Sequence, residues 1–218
     1  MTDDQLIENT KAFVKESLQD AEGGHDWFHT LRVYKNAMLI AKGETVNSLI
    51  IALGALLHDI ADSKFHNGDE TVGPRMAGEF LFNQNADSDV IEHVIHIIQN
   101  ISFKESLSKE QPFTSKELDV IQDADRLDAL GAIGIARCFN YGGFKNRKLY
   151  DPAIEPNLNL SKEAYKNSNA PTINHFYEKL LTLKDHMNTK SGKKIAKQRH
   201  KFMKKYLDQF YAEWNGKR

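Results

Sequence analysis

The sequence predicts an all-α fold. Apolar residues recur every three to four positions rather than alternately along nearly the whole chain, and only 5 prolines interrupt its 218 residues. With 40% apolar content the chain can bury one sizeable core. A single domain over residues 1–218 is therefore expected, its core over about 25–130 and a C-terminal helical extension over about 170–214 packed on it.

The first helix is expected over residues 4–18, with Leu6, Phe13 and Val14 inward. Gly23-Gly24 then breaks the chain before a second helix over 27–42, whose apolar stripe reads Phe28, Leu31, Tyr34, Met38 and Ala41. A third covers 48–60, after which the stretch from Asp62 to Glu70 is polar and turn-like. Further helices are expected over 72–82, 87–101, 116–127, 129–140, 173–183 and 191–214. Between the helices at 129–140 and 173–183, residues 141–170 hold Gly142-Gly143, Pro152, Pro156 and many asparagines. They read as a long loop, of the kind that serves as a lid or a partner-binding segment.

The last helix sets Lys190, Lys193, Lys194, Lys197, Arg199, Lys201, Lys204 and Lys205 against an inward stripe of Ile195, Phe202, Met203, Tyr206 and Phe210. That is a solvated basic face over an apolar one. The 29 basic and 30 acidic residues nearly cancel, so no overall field recruits nucleic acid or an anionic membrane, and neither is expected as a partner. No apolar run approaches the roughly 20 residues of a bilayer span, and the opening Met1-Thr2-Asp3-Asp4 lacks the cationic start of a signal peptide. Cys138 is the only cysteine, which excludes an intrachain disulfide and reads as a small buried hydrophobe. A cytoplasmic location is the expectation.

One doublet stands out against this background. His58-Asp59 ends the apolar run Ile50-Ile51-Ala52-Leu53-Gly54-Ala55-Leu56-Leu57, where a carboxylate costs several kcal/mol unless something neutralises it. A divalent cation is the strongest neutraliser available. His29 upstream and Asp125 downstream, in Gln122-Asp123-Ala124-Asp125-Arg126-Leu127-Asp128, would complete a mixed nitrogen and oxygen site, with Asp123 and Asp128 as competitors for Asp125. A thiolate-rich zinc site is excluded by the single cysteine; manganese, magnesium, iron or cobalt suits the oxygen content better than zinc.

The ordered pattern His29…His58-Asp59…Asp125 resembles that of the HD-domain superfamily of metal-dependent phosphohydrolases, all-α proteins with a H…HD…D signature on consecutive helices. Three blocks carry the resemblance: His29-Thr30-Leu31-Arg32-Val33, Leu56-Leu57-His58-Asp59-Ile60-Ala61-Asp62, and Asp123-Ala124-Asp125-Arg126-Leu127-Asp128-Ala129-Leu130-Gly131-Ala132. It implies His29, His58, Asp59 and Asp125 as ligands of one divalent metal. Gly134-Ile135-Ala136-Arg137 and Tyr141-Gly142-Gly143-Phe144 are similar to a bacterial subgroup of small HD hydrolases. That likeness implies nucleoside triphosphate pyrophosphohydrolase activity, giving a monophosphate and pyrophosphate. The same centre also serves phosphomonoesterases, phosphodiesterases and non-catalytic nucleotide sensors, and a homodimer is left open.

Around these ligands, Asp62 follows His58 by four residues and is the expected carboxylate for the attacking water. It matches the first acid of the His-Asp-x-x-Glu-Asp motif of related alarmone hydrolases, whose second acid is Ser63 here. Lys64, Arg32 and Arg126 are expected phosphate contacts, because an anionic substrate needs cationic partners near the metal. His93, three residues before His96 on one helix, is a further substrate-binding candidate. His25, one turn before His29, reads as a helix-cap or supporting residue beside Asp26. His66, His175, His186 and His200 are unassigned.

Overall fold

Helix α1 (Asp3–Ser17) starts where the Thr2 side chain accepts the Gln5 backbone N–H, and acidic Asp3 and Asp4 sit at its positive end. The computed structural model describes residues 1–19, 24–61, 69–101, 113–158 and 169–217, and all regular structure among them is helical. The all-α expectation holds. The chain divides into two compact units, Met1–Asp125 with Asn188–Ser191, and Arg126–Met187 with Gly192–Arg218.

In the first unit α1 buries Leu6, Thr10 and Val14, and Phe13 stacks on Phe80 with ring centroids 4.1 Å apart. Helix α2 (Trp27–Ala41) is capped by Asp26, whose Oδ1 accepts the His29 backbone N–H at 2.8 Å. Its inward face differs from the expected one. His29, Thr30, Val33, Asn36, Ala37 and Ile40 are buried, while Phe28 is 65% exposed. The helix is turned by about one residue, some 100°, relative to the large-apolar stripe. Polar side chains drive the turn: Asn36 Nδ2 donates to the Ala124 carbonyl, and His29 faces the interior.

Helix α3 (Ser48–Leu57) is capped by Asn47, which accepts the N–H groups of Leu49 and Ile50. Every residue from Ile50 to Leu57 is buried, as an all-apolar helix requires. It packs against α1, α2 and α5 (Ser88–Asn100), and α5 also pairs with α4 (Val72–Asn83). A Cβ on Gly54 would stand 2.6 Å from Ile121 Cδ1, so the glycine admits the isoleucine of α6 (Lys116–Asp128). The expectation that α3 persists to 60 fails. It ends at Leu57, and His58 occupies the C-cap.

In the second unit α7 (Gly131–Phe144) begins at a glycine with φ of +75°, packed under the side chain of Arg199. This helix continues through Gly142-Gly143, which the sequence placed in a loop. Thr172 fills the space a side chain would need, since a Cβ on Gly142 would lie 2.2 Å from Thr172 Oγ1. Close packing outweighs a helix cost of about 1 kcal/mol per glycine. The expected helix over 173–183 is instead a short α8 (Asn174–Glu178) and a 3-10 turn (Leu180–His186), divided where Lys179 leaves the helical region at φ −144°.

Helix α9 (Lys190–Trp214) buries Ala196, Met203 and Leu207, and its lysines from Lys193 to Lys205 are exposed. Two residues depart from expectation. Phe202 is 51% exposed rather than inward, and Arg199 turns in to donate to the Leu127 carbonyl rather than joining the basic face. No described helix is long and apolar enough to cross a membrane.

Candidate metal centre

The first unit brings together histidines and carboxylates from three helices. His29 lies on the third residue of α2, its side chain only 3% exposed, because the capping turn at Asp26 and the rotation of α2 direct it inward. His58 stands at the end of α3. Its Nδ1 lies 2.9 Å from the Ala55 carbonyl, which only accepts, so Nδ1 carries a proton and Nε2 is the nitrogen not engaged there. The two rings meet edge to face at 5.5 Å. Asp125 on α6 places Oδ1 3.5 Å from His29 Nε2.

Asp59 completes the cluster from the turn beyond α3, where His25 Nδ1 donates to its Oδ2. Burial by itself raises the Asp59 carboxyl. The His25 hydrogen bond, with the charges of His58, His25 and His29, outweighs burial and holds it below the usual carboxylate range. Two overlapping triads result, His25 with His29 and Asp59, and His29 with His58 and Asp125. Within each, the donor atoms lie within 4.8 Å of one another.

These residues fit a divalent cation. Metal to ligand bonds of about 2.1 Å put opposite donors about 4.2 Å apart, so each triad by itself needs only a small contraction to hold an ion. Imidazole nitrogen and carboxylate oxygen without thiolate is a borderline-to-hard donor set. The lone cysteine, Cys138, lies in the other unit, and burial pushes its thiol up to about 12, with the Arg147 charge opposing.

Neighbouring acids have other partners. Asp123 is fully buried and accepts from the backbone N–H groups of Asn188 and Thr189 and from Thr189 Oγ1, each at 2.8 Å. Asp128 receives the Arg137 guanidinium at 2.6 Å. Only Asp125 of the three approaches His29 among the described contacts.

The remaining sequence candidates fare unevenly. Asp62 and Lys64 lie outside the described residues. Arg32 is half-buried on α2, one turn beyond His29. Arg126 follows Asp125 on α6, about 100° further round, and belongs to the second unit. His93 stands with Nε2 3.1 Å from Ser115 Oγ and 3.7 Å from Glu117 and belongs to neither triad. His25, read from the sequence as a helix-cap or supporting residue, joins the first triad. Asp26, not His25, caps α2, and the signal for His25 was its spacing of one turn before His29.

A family model described as the HD domain matches residues 27–130. The Bacillus subtilis protein YpgQ is 36% identical over 215 residues, covering 96% of this chain and 94% of YpgQ. A crystal structure of an HD-superfamily hydrolase from Bacillus thuringiensis superposes with a TM-score of 0.79 at 43% identity, covering 98% of this chain and 99% of that one. The crystal structure of YpgQ in complex with ADP gives a TM-score of 0.73 at 31% identity, covering 98% and 97%.

Proposed function

The chain belongs to the HD-domain superfamily of metal-dependent phosphohydrolases, and from that membership we propose that it cleaves nucleoside triphosphates to the monophosphate and pyrophosphate. The observation that carries this reading is the meeting of His29, His58 and Asp125, with Asp59 alongside, in the first unit. That YpgQ has been crystallised with ADP supports a nucleotide as the substrate.

His29 and His58 would hold the cation through ring nitrogens, and Asp59 and Asp125 through carboxylate oxygens. A divalent cation bound there lowers the pKa of a coordinated water and offsets phosphoryl charge. The Ala55 carbonyl fixes which nitrogen of His58 faces the site, and the burial of His29 holds its ring in one orientation. We assign Asp62, on its sequence position, to accept the proton of the attacking water. Water adds to the α-phosphorus and the bond from that phosphorus to the α,β-bridging oxygen breaks, so pyrophosphate leaves with the electron pair. Lys64, by sequence, and Arg32, one turn from His29, are the cations we assign to the substrate phosphates.

The test is product analysis by phosphorus NMR, with manganese-loaded protein and a panel of nucleoside tri-, di- and monophosphates. Monophosphate and pyrophosphate in equal amounts, without orthophosphate, is the expected result. Orthophosphate with a diphosphate, or no turnover of any triphosphate, overturns the proposal.

A further inference from the structure

We propose that His25 is a positioning residue for the metal centre, holding the Asp59 carboxylate in place without itself ligating the ion. The inference rests on the metal-centre reading above and extends it to a residue that is not one of its four ligands.

Helix α3 ends at Leu57 and His58 is its C-cap, so Asp59 projects from a turn that lacks a continuing helical ladder. A backbone bond in that turn, from Ile60 N–H to the Leu57 carbonyl, is long at 3.3 Å. A carboxylate on such a turn loses conformational freedom when it binds a cation, and that loss weakens binding unless something has already fixed it.

His25 supplies the fixing contact from the opposite side. It immediately precedes Asp26, whose capping bond to the His29 N–H sets the start of α2. That short turn carries the His25 ring to within 5.7 Å of the His29 ring, edge to face, and brings Nδ1 to Asp59 Oδ2. A carboxylate only accepts, so the imidazole N–H donates and occupies one Asp59 oxygen, leaving Oδ1 available to a cation. His25 thereby clips the start of α2 to the end of α3, the two segments that carry three of the four assigned ligands.

Exposure distinguishes His25 from His29 and His58. Its side chain is 48% exposed, against a nearly closed environment for the other two, and its Nδ1 is already engaged with Asp59. Outer partners of this kind typically account for 10–100-fold in metal affinity.

The test compares full-length wild type with His25→Ala and His25→Asn, reading Mn(II) affinity by EPR titration and the number of directly bound nitrogens by pulsed EPR. Asn is chosen because its Nδ2 follows Cγ as Nδ1 does in histidine, so it can make the same donation. Wild type and His25→Ala should both show two bound nitrogens, with affinity about 10–100-fold weaker in His25→Ala and largely restored in His25→Asn. Three nitrogens in wild type and two in His25→Ala would make His25 a ligand and overturn the proposal. So would unchanged affinity in His25→Ala, or an Asn variant no better than Ala. Wild type that takes up no Mn(II) would remove the metal centre and this inference together, whereas the other negative results remove only the role of His25.

Discussion

Two acids two residues apart on α6 should behave in opposite ways when truncated. Asp123 is fully buried and accepts hydrogen bonds from Asn188 N–H, Thr189 N–H and Thr189 Oγ1. Bonds to a charged acceptor contribute about 1.5–3 kcal/mol each, but these three share one carboxylate and one turn, so they do not add fully. Asp123→Ala should therefore cost about 3–4 kcal/mol. For a chain of this size each kcal/mol moves Tm by about 2–4 °C, so a fall of about 6–16 °C is expected. Asp125, with a side chain 46% exposed and its nearest described contact a 3.5 Å approach to His29, should cost under about 0.5 kcal/mol when truncated in EDTA. The assay is thermal unfolding by circular dichroism in EDTA, with metal content after manganese loading measured by atomic emission. Asp123→Ala should lose stability yet bind metal when folded; Asp125→Ala should keep its Tm and lose metal. A destabilised Asp125→Ala in EDTA, or an Asp123→Ala with wild-type Tm, would refute the division of roles.

His58→Ala should abolish both bound metal and turnover while far-UV helicity stays near wild type, and full activity would remove His58 from the ligand set. Asp62→Asn should retain metal and lower kcat by about 10²–10⁴, the usual contribution of a general base; loss of metal as well would make Asp62 a ligand or a structural residue. His175 provides a pH prediction in the second unit. Burial, with the Lys179 and Arg147 charges added, pushes it down to about 4 from an ordinary value of 6.5. The unfolded chain then binds a proton that the folded chain refuses, so stability falls as pH drops from about 6.5 towards 4, by up to roughly 3 kcal/mol. In denaturant melts across that window His175→Gln should lose less stability than wild type, and parallel curves would contradict the assignment.

The candidate ligand pattern is drawn from local signals. His58-Asp59 interrupts an apolar helix, and His29 and Asp125 fall in blocks whose order survives in the sequence itself. The preference for Asp125 over Asp123 rests on its place in the Ala124-Asp125-Arg126-Leu127 block, because helical spacing alone does not separate two acids on one helix. The structure adds a difference of partner, since Asp123 accepts from Asn188 and Thr189, more than sixty residues away. The rotation of α2 was missed for a related reason. Side-chain size selected Phe28 and its stripe, whereas burial follows Val33, Ala37 and Ile40 because His29 and Asn36 have partners inside. Gly142-Gly143 reads as a break, yet Thr172 makes the small residue at 142 a packing requirement of a helix. In each case the deciding contact is distant in sequence, where periodicity carries no signal. His25 shows the same limit, because its partner Asp59 lies on the next helix end.

The central claim is that His29, His58, Asp59 and Asp125 share one divalent cation. Anomalous diffraction from manganese-loaded crystals tests it most directly. One strong peak is expected, with a ring nitrogen of each histidine and a carboxylate oxygen of each aspartate within about 2.3 Å. A peak ligated by other side chains, or none at this cluster, would contradict it.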